Sequence, residues 1–225
     1  MRTRASLAVF LLVAFMLVIA PFFHSGKPPS AQLILNLCGA LLLFIIAWAG
    51  LYRQRVDRRL WMFLALSILA VAIYLVPVPW DFWKALPGRD LYAEVYRWLT
   101  EYQQVDPDLR LSIVPYQTIH AFLALIPPLA VFLGTLALSG QRVRQLVFLL
   151  LGIASLQALI GIMQSLSILP VELFGIPFHE GRGIGTYLNT NHFSGLLEMA
   201  LPLGFAMLSC AFLNIGPDDR GELLR

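Results

Sequence analysis

Ala5-Ser6-Leu7-Ala8-Val9-Phe10-Leu11-Leu12-Val13-Ala14-Phe15-Met16-Leu17-Val18-Ile19-Ala20-Pro21-Phe22-Phe23 runs for nineteen positions without a charged residue. At 1.5 Å of rise per residue, a helix of about 20 such residues crosses the hydrocarbon core of a bilayer. Five further runs reach or approach that length, at 31–52, 60–76, 119–138, 146–166 and 193–213. Hydrocarbon offers no partner to a backbone N–H or C=O, so each run must satisfy its own groups and is read as a helix, not a strand. The sequence therefore predicts an all-α, polytopic integral membrane protein with about six transmembrane helices, built as a single transmembrane domain over 1–225. The run at 60–76 is the shortest and could extend toward 77–80 at the interface. Pro127-Pro128 lies inside the fourth run and predicts a kink there.

Composition points the same way. Of the 225 residues 59% are hydrophobic and 13% charged, with a mean hydropathy of +0.75, where soluble domains carry about 25% charge. A soluble enzyme is excluded. So is a nucleic-acid-binding chain: sixteen basic and thirteen acidic residues, net +3, are spread between the apolar runs and form no basic stripe. Cys38 and Cys210 cannot by themselves make a disulfide framework or a four-ligand metal site, and both lie in apolar runs as small hydrophobes.

The basic residues have a topological meaning instead. Eight of them, Arg2, Arg4, Arg53, Arg55, Arg58, Arg59, Arg142 and Arg144, flank the runs on one side, whereas the two short connections on the other side carry only Lys27 and Arg182. The positive-inside bias then places the N-terminus, the 53–59 and 139–145 loops and the tail in the cytoplasm, and the 77–118 and 170–192 loops outside. Anionic membrane lipid is the expected partner of the inner charges. Arg2 and Arg4 before an apolar run also fit a signal peptide. That run is long, however, and Pro21 directly follows the small-residue site at 18–20, so the first helix is expected to be retained.

The long outer loop is patterned. Pro77-Val78-Pro79-Trp80-Asp81-Phe82-Trp83 joins rigid turns to aromatics that favour the headgroup region. Over 90–104, Leu91, Val95, Trp98, Leu99 and Tyr102 share one helical face and Glu94, Arg97 and Glu101 the other, which predicts a periplasmic amphipathic helix. Two readings stand side by side: a helix lying in the membrane interface, or one packed on the rest of the protein.

The second outer loop is where chemistry could sit. Gly181, Gly183 and Gly185 would let backbone approach a ligand closely. Arg182 offers a planar fork of donors suited to phosphate, and Thr186, Asn189 and Asn191 add hydrogen-bonding groups just before a helix start. The alternative is a polar turn that holds no ligand. Inside the last run, Glu198 is the only acidic residue in any of the six, on one stripe with Asn191, Ser194, Gly195 and Pro202. The fifth run carries a matching polar line of Gln157, Gly161 and Gln164, readable as interhelical glue or, with Glu198, as intramembrane polar residues along a path.

The stretch Arg182-Gly183-Ile184-Gly185-Thr186-Tyr187-Leu188-Asn189-Thr190-Asn191-His192-Phe193-Ser194-Gly195 resembles the signature of bacterial O-antigen ligases and polymerases: an Arg, then Gly-Thr, an aromatic, and Asn-x-Asn leading into a helix. Thr190 stands where that family often has Pro. Pro77-Val78-Pro79-Trp80 and Leu111-Ser112-Ile113-Val114-Pro115-Tyr116-Gln117-Thr118 are similar to its "PLP" and "SxxPxxT" elements, in the right order. The resemblance implies transfer of a glycan from undecaprenyl diphosphate to an acceptor hydroxyl, on the outer face of a bacterial inner membrane, in cell-surface polysaccharide biosynthesis. It implies no cofactor and no metal, because the lipid diphosphate is the leaving group. Arg182 would neutralise that diphosphate, with Thr186, Asn189 and Asn191 orienting the loop or the carrier. Members usually have more spans and a large outer loop after this motif, which supplies further arginines and a His base; His179 and His192 do not occupy that position. The resemblance thus covers the N-terminal half of such a domain, and a downstream half or a partner membrane protein would complete it. The catalytic residues are not assigned, and the chain alone is expected to bind carrier without turning it over. A bicarbonate-carrier-like solute transporter and a non-catalytic membrane subunit are the competing functions.

Overall fold

The computed structural model describes residues 2–22, 28–51, 57–104, 108–168, 172–173, 176–177 and 182–212. Nine α-helices are found among them: α1 (Arg2–Phe22), α2 (Pro29–Trp48), α3 (Arg58–Ala72), α4 (Trp80–Lys84), α5 (Asp90–Gln103), α6 (Pro115–Leu123), α7 (Ile126–Ala137), α8 (Gly140–Ser165) and α9 (Thr190–Phe212). A 3-10 turn, Ile73–Leu75, prolongs α3. Among the described residues the strand-like content is one antiparallel pair of two-residue segments, Glu172–Leu173 and Ile176–Pro177, and an isolated antiparallel bridge between Pro77 and Arg110. Among the described residues, six helical stretches are long and apolar enough to cross a membrane: Thr3–Phe22, Pro29–Trp48, Arg58–Leu75, Pro115–Ala137, Gly140–Ser165 and Thr190–Ala211. The chain is an all-α, multi-pass membrane protein.

Two of these spans differ from the sequence expectation. The fifth starts at Gly140, so Arg142 lies in its first turn and Arg144 just beyond it, and neither lies in a loop. In the fourth, the expected kink is a full break. Helix α6 closes with Ala124 N donating to His120 O (2.9 Å) and Leu125 N to Phe122 O (3.1 Å), and α7 begins anew at Ile126. Pro127 and Pro128 then occupy the first turn of α7, where a missing N–H costs no helical bond.

Packing divides the chain into two compact units, 1–54 with 127–225, and 55–126. In the first, α1 packs on α2 and α8, and α8 on α9. Lipid is as apolar as leucine, so such contacts rest on close approach and polar bonds rather than on hydrophobic expulsion. Val9, Val13 and Met16 of α1 face Ala31, Leu35, Gly39, Leu42 and Ile46 of α2 as two buried stripes at helical spacing. Gly134 seats α7 against both: a methyl there would lie 2.9 Å from Val13 Cγ2 and 3.3 Å from Leu42 Cδ2.

In the second unit, the segment after α3 pairs with the segment before α6. Val78 N donates to Leu109 O (2.9 Å), Leu111 N to Val76 O (3.2 Å) and Ser112 N to Tyr74 O (2.8 Å). Trp83, 1% exposed, is the unit's buried centre. Its Nε1 donates to Arg110 O at 2.8 Å, Arg89 lies over its ring at 4.5 Å, and Tyr96 of α5 packs on it at 5.1 Å between centroids. Arg89 is buried and its Nη2 donates to Leu111 O. Cation–π attraction thus fixes the start of α5 to the paired segments.

Candidate functional site

The segment 182–187 is bound to the membrane helices by two glutamines of α8. Gln164 Oε1 accepts from Ile184 N and from Gly185 N, both at 2.8 Å, and its Nε2 donates to Gly185 O at 2.7 Å. Seven residues earlier on the same face, Gln157 Oε1 accepts from Thr186 N (2.9 Å) and its Nε2 donates to Thr186 Oγ1 (2.7 Å). The Thr186 hydroxyl in turn donates a hydrogen bond to Pro21 O at 2.7 Å. Pro21 lies in the last turn of α1, where helix carbonyls have no intrahelical partner. Gln157 and Thr186 are 0% exposed and Gln164 4%. The network is buried, and every polar atom named here is bonded, the condition under which buried polar groups rigidify a fold.

Glycine makes this contact possible. A methyl on Gly183 would lie 2.4 Å from Gly161 O and 2.8 Å from Ser165 Oγ, and one on Gly185 would lie 2.4 Å from Gln157 Oε1. Gly185 also takes φ +60°, the left-handed region that glycine favours. These two glycines bring backbone onto α8, not onto a ligand as the sequence suggested. Gly161 plays the reciprocal part, since a methyl there would meet the Phe193 ring at 2.6 Å. Tyr187 completes the anchoring by burial with Ala154 of α8 and Leu196 and Ala200 of α9. That burial raises its phenol pKa above the ordinary value.

The residues expected to hold a diphosphate therefore separate. Thr186 is a correction: its hydroxyl is enclosed and committed to Gln157 and Pro21, so it acts on the loop and is not presented to a ligand. Asn189 Oδ1 accepts from Asn191 N at 2.8 Å, capping α9. Arg182, Asn189 and Asn191 are exposed, and Arg182 has no hydrogen-bond or ion-pair partner among the described residues. An arginine without a partner among the described residues thus begins a segment whose next five residues are pinned. His192 is exposed as well, while His179 and Gly181 lie outside the described residues.

No known protein family matches this chain, nor does any curated protein or solved structure.

Glu198 and the two glutamines do not form one path. The glutamine amides are spent on the loop, whereas Glu198 is exposed on α9 with no hydrogen-bond or ion-pair partner among the described residues. Between α8 and α9 lies an apolar groove of about 450 Å³. Its walls include Leu151, Ala154 and Ala158 of α8 and Leu197, Ala200 and Gly204 of α9. Ala154 and Ala200 thus have Tyr187 on one side and the groove on the other.

One pairing escaped the sequence reading. Ser112 Oγ and Thr118 Oγ1 are 2.7 Å apart, and Ser112 Oγ accepts from Val114 N at 3.1 Å. The two hydroxyl residues of the Ser112-to-Thr118 element hold the entry of α6 together across Pro115. Spacing hinted at it, since six residues bent by a proline can bring two short hydroxyls face to face.

Proposed function

We propose that this protein holds an undecaprenyl diphosphate-linked glycan at the outer face of a bacterial inner membrane, for transfer to an acceptor hydroxyl in cell-surface polysaccharide biosynthesis. Both termini are then cytoplasmic. The observation that carries the proposal is Arg182: an exposed guanidinium with no hydrogen-bond or ion-pair partner among the described residues, at the head of a segment fixed by six hydrogen bonds from 184–186 to Gln157, Gln164 and Pro21. A planar fork of donors held on a rigid base suits a diphosphate, whose charge must be met when it leaves. Exposed Asn189 and Asn191 add further donors. The groove between α8 and α9 gives the prenyl chain an apolar bed. The transport reading is weakened because Gln157 and Gln164 have no free amide to offer a solute.

The test is binding of undecaprenyl diphosphate to the purified chain in nanodiscs. Arg182→Lys keeps the charge but loses the fork, and is expected to weaken binding by about tenfold or more; Arg182→Ala is expected to abolish it. Glu198→Gln should leave binding within about twofold, since exposed positions away from a site contribute little. Parent-like binding by both Arg182 variants, or solute uptake lost in Glu198→Gln with carrier binding intact, would overturn the proposal.

A further inference from the structure

The structure decides between the two readings of α5 by showing that both faces are used. Tyr96 packs inward on Trp83, while Leu91, Val95, Trp98 and Tyr102 are 70%, 47%, 51% and 72% exposed. Spaced four, three and four residues apart, these four make one continuous apolar ridge. Trp98 and Tyr102 are in ring contact within it, at 5.6 Å between centroids. A soluble helix would turn such a ridge inward.

We infer that the ridge of α5 is a membrane-surface anchor whose occupant is the headgroup–acyl boundary of the same bilayer that α3 and α6 enter. A short chain of contacts ties it to that boundary. Leu75, the last residue of the α3 span, accepts from Arg110 Nη1 at 3.2 Å. Arg110 O accepts from Trp83 Nε1 at 2.8 Å, and Trp83 carries Tyr96, the middle of α5. Arg89, next to the start of α5, reaches Leu111 O, four residues before the α6 span begins at Pro115. The helix is thus fastened at the level where two spans leave the hydrocarbon. Trp and Tyr, apolar in body and polar at the edge, are the side chains that settle at that level. Its charges are Asp90, Glu94 and Glu101 against Arg97. Anionic lipid would repel that balance, so attachment rests on apolar burial and needs no acidic headgroup.

The experiment uses the full chain with Cys38→Ala and Cys210→Ser, reconstituted in vesicles of phosphatidylcholine alone. Single cysteines at 91, 94, 95, 97, 98, 101 and 102 carry a nitroxide, and its collisions with lipid-soluble oxygen and with an aqueous nickel chelate are compared. Labels at 91, 95, 98 and 102 are expected to favour oxygen several-fold over those at 94, 97 and 101, giving an oscillation of helical period. Every labelled side chain is exposed, so the Trp83–Tyr96 packing is retained and the charged-side labels report a folded helix. Ridge labels as open to nickel as position 101 would overturn the anchor. So would ridge labels closed to both reagents, which would mean a protein cover, and so would protection that appears only when lipid-linked glycan is added, which would mean a sugar-stacking site.

Discussion

Gln164 meets three backbone groups of the glycine segment with one side chain, and that economy makes it sensitive. Replacing it by leucine leaves Ile184 N, Gly185 N and Gly185 O without partners, at about 1–3 kcal/mol for each group left buried and unbonded. Gln164→Leu should therefore lower the thermal stability of the purified chain clearly. Gln145→Leu, an exposed glutamine on the same helix, should stay within about 0.5 kcal/mol of the parent. Equal melting of the two variants would mean that the clamp contributes nothing. The residue scale is also where sequence reading stopped. A line of Gln157, Gly161 and Gln164 at helical spacing is visible in the sequence, and interhelical glue was one reading of it. Its partner is a loop some twenty to thirty residues later, and no local pattern announces a bond between an amide side chain and a distant backbone. Thr186 is hidden for the same reason: its hydroxyl looks available in the sequence, but it donates a hydrogen bond to Pro21 O, 165 residues away.

Among the elements, the helices were legible because a bilayer imposes a length and forbids charge, whereas the loop between α8 and α9 obeys neither rule. What forms it is steric. Gly183 lies where a methyl would strike a backbone carbonyl, Gly161 O, at 2.4 Å, and a carbonyl inside α8 cannot step aside as a flexible side chain could. Gly183→Ala is therefore expected to lift the segment from α8 and loosen the Gln164 bonds behind it. The readouts are faster hydrogen exchange at the Ile184 and Gly185 amides and faster tryptic cleavage after Arg182, both measures of local opening. Gly195→Ala is the contrast: nothing lies within 4 Å of its methyl, and alanine in a helix is expected to be neutral or to stabilise by up to about 1 kcal/mol. Unchanged exchange at 184–185 in Gly183→Ala would show that the segment is held elsewhere. The α6–α7 break carries the same lesson from the other side. Two adjacent prolines were visible, but whether they bend one helix or start another depends on whether the residues before them can close a turn, which Ala124 and Leu125 do.

At the scale of the whole molecule, the arginines expected to set the orientation sit at a cost to the helices that carry them. Arg2 and Arg4 open α1, Arg58 and Arg59 open α3, and Arg142 lies in the first turn of α8 with Arg144 just after it. A cation there faces the positive end of the helix dipole; the first turns of α1 and α8 contain no acidic residue to offset it, and only α3 has a carboxylate at its start, the capping Asp57. The alternate spans, beginning Pro29-Ser30-Ala31, Pro115-Tyr116-Gln117 and Thr190-Asn191-His192, start without any arginine or lysine. Helix stability cannot account for placing charge at the unfavourable end of every second span and at none of the others. The proposed orientation, with arginine retained on the cytoplasmic side, would account for it, because the helices that open with arginine would then be those that run outward. Cysteine labelling tests this after Cys38 and Cys210 are replaced. A cysteine at Glu101 should react with an impermeant maleimide in intact spheroplasts, and one at Gln145 only after lysis. Moving the bias tests the cause as well as the outcome: Arg142→Gln with Arg144→Gln, combined with lysines at Asn189 and Asn191, should raise the fraction of chains labelled at Gln145. A fraction that does not move would mean that packing of α8 on α1 and on the glycine segment, not charge, holds the fifth span in its direction.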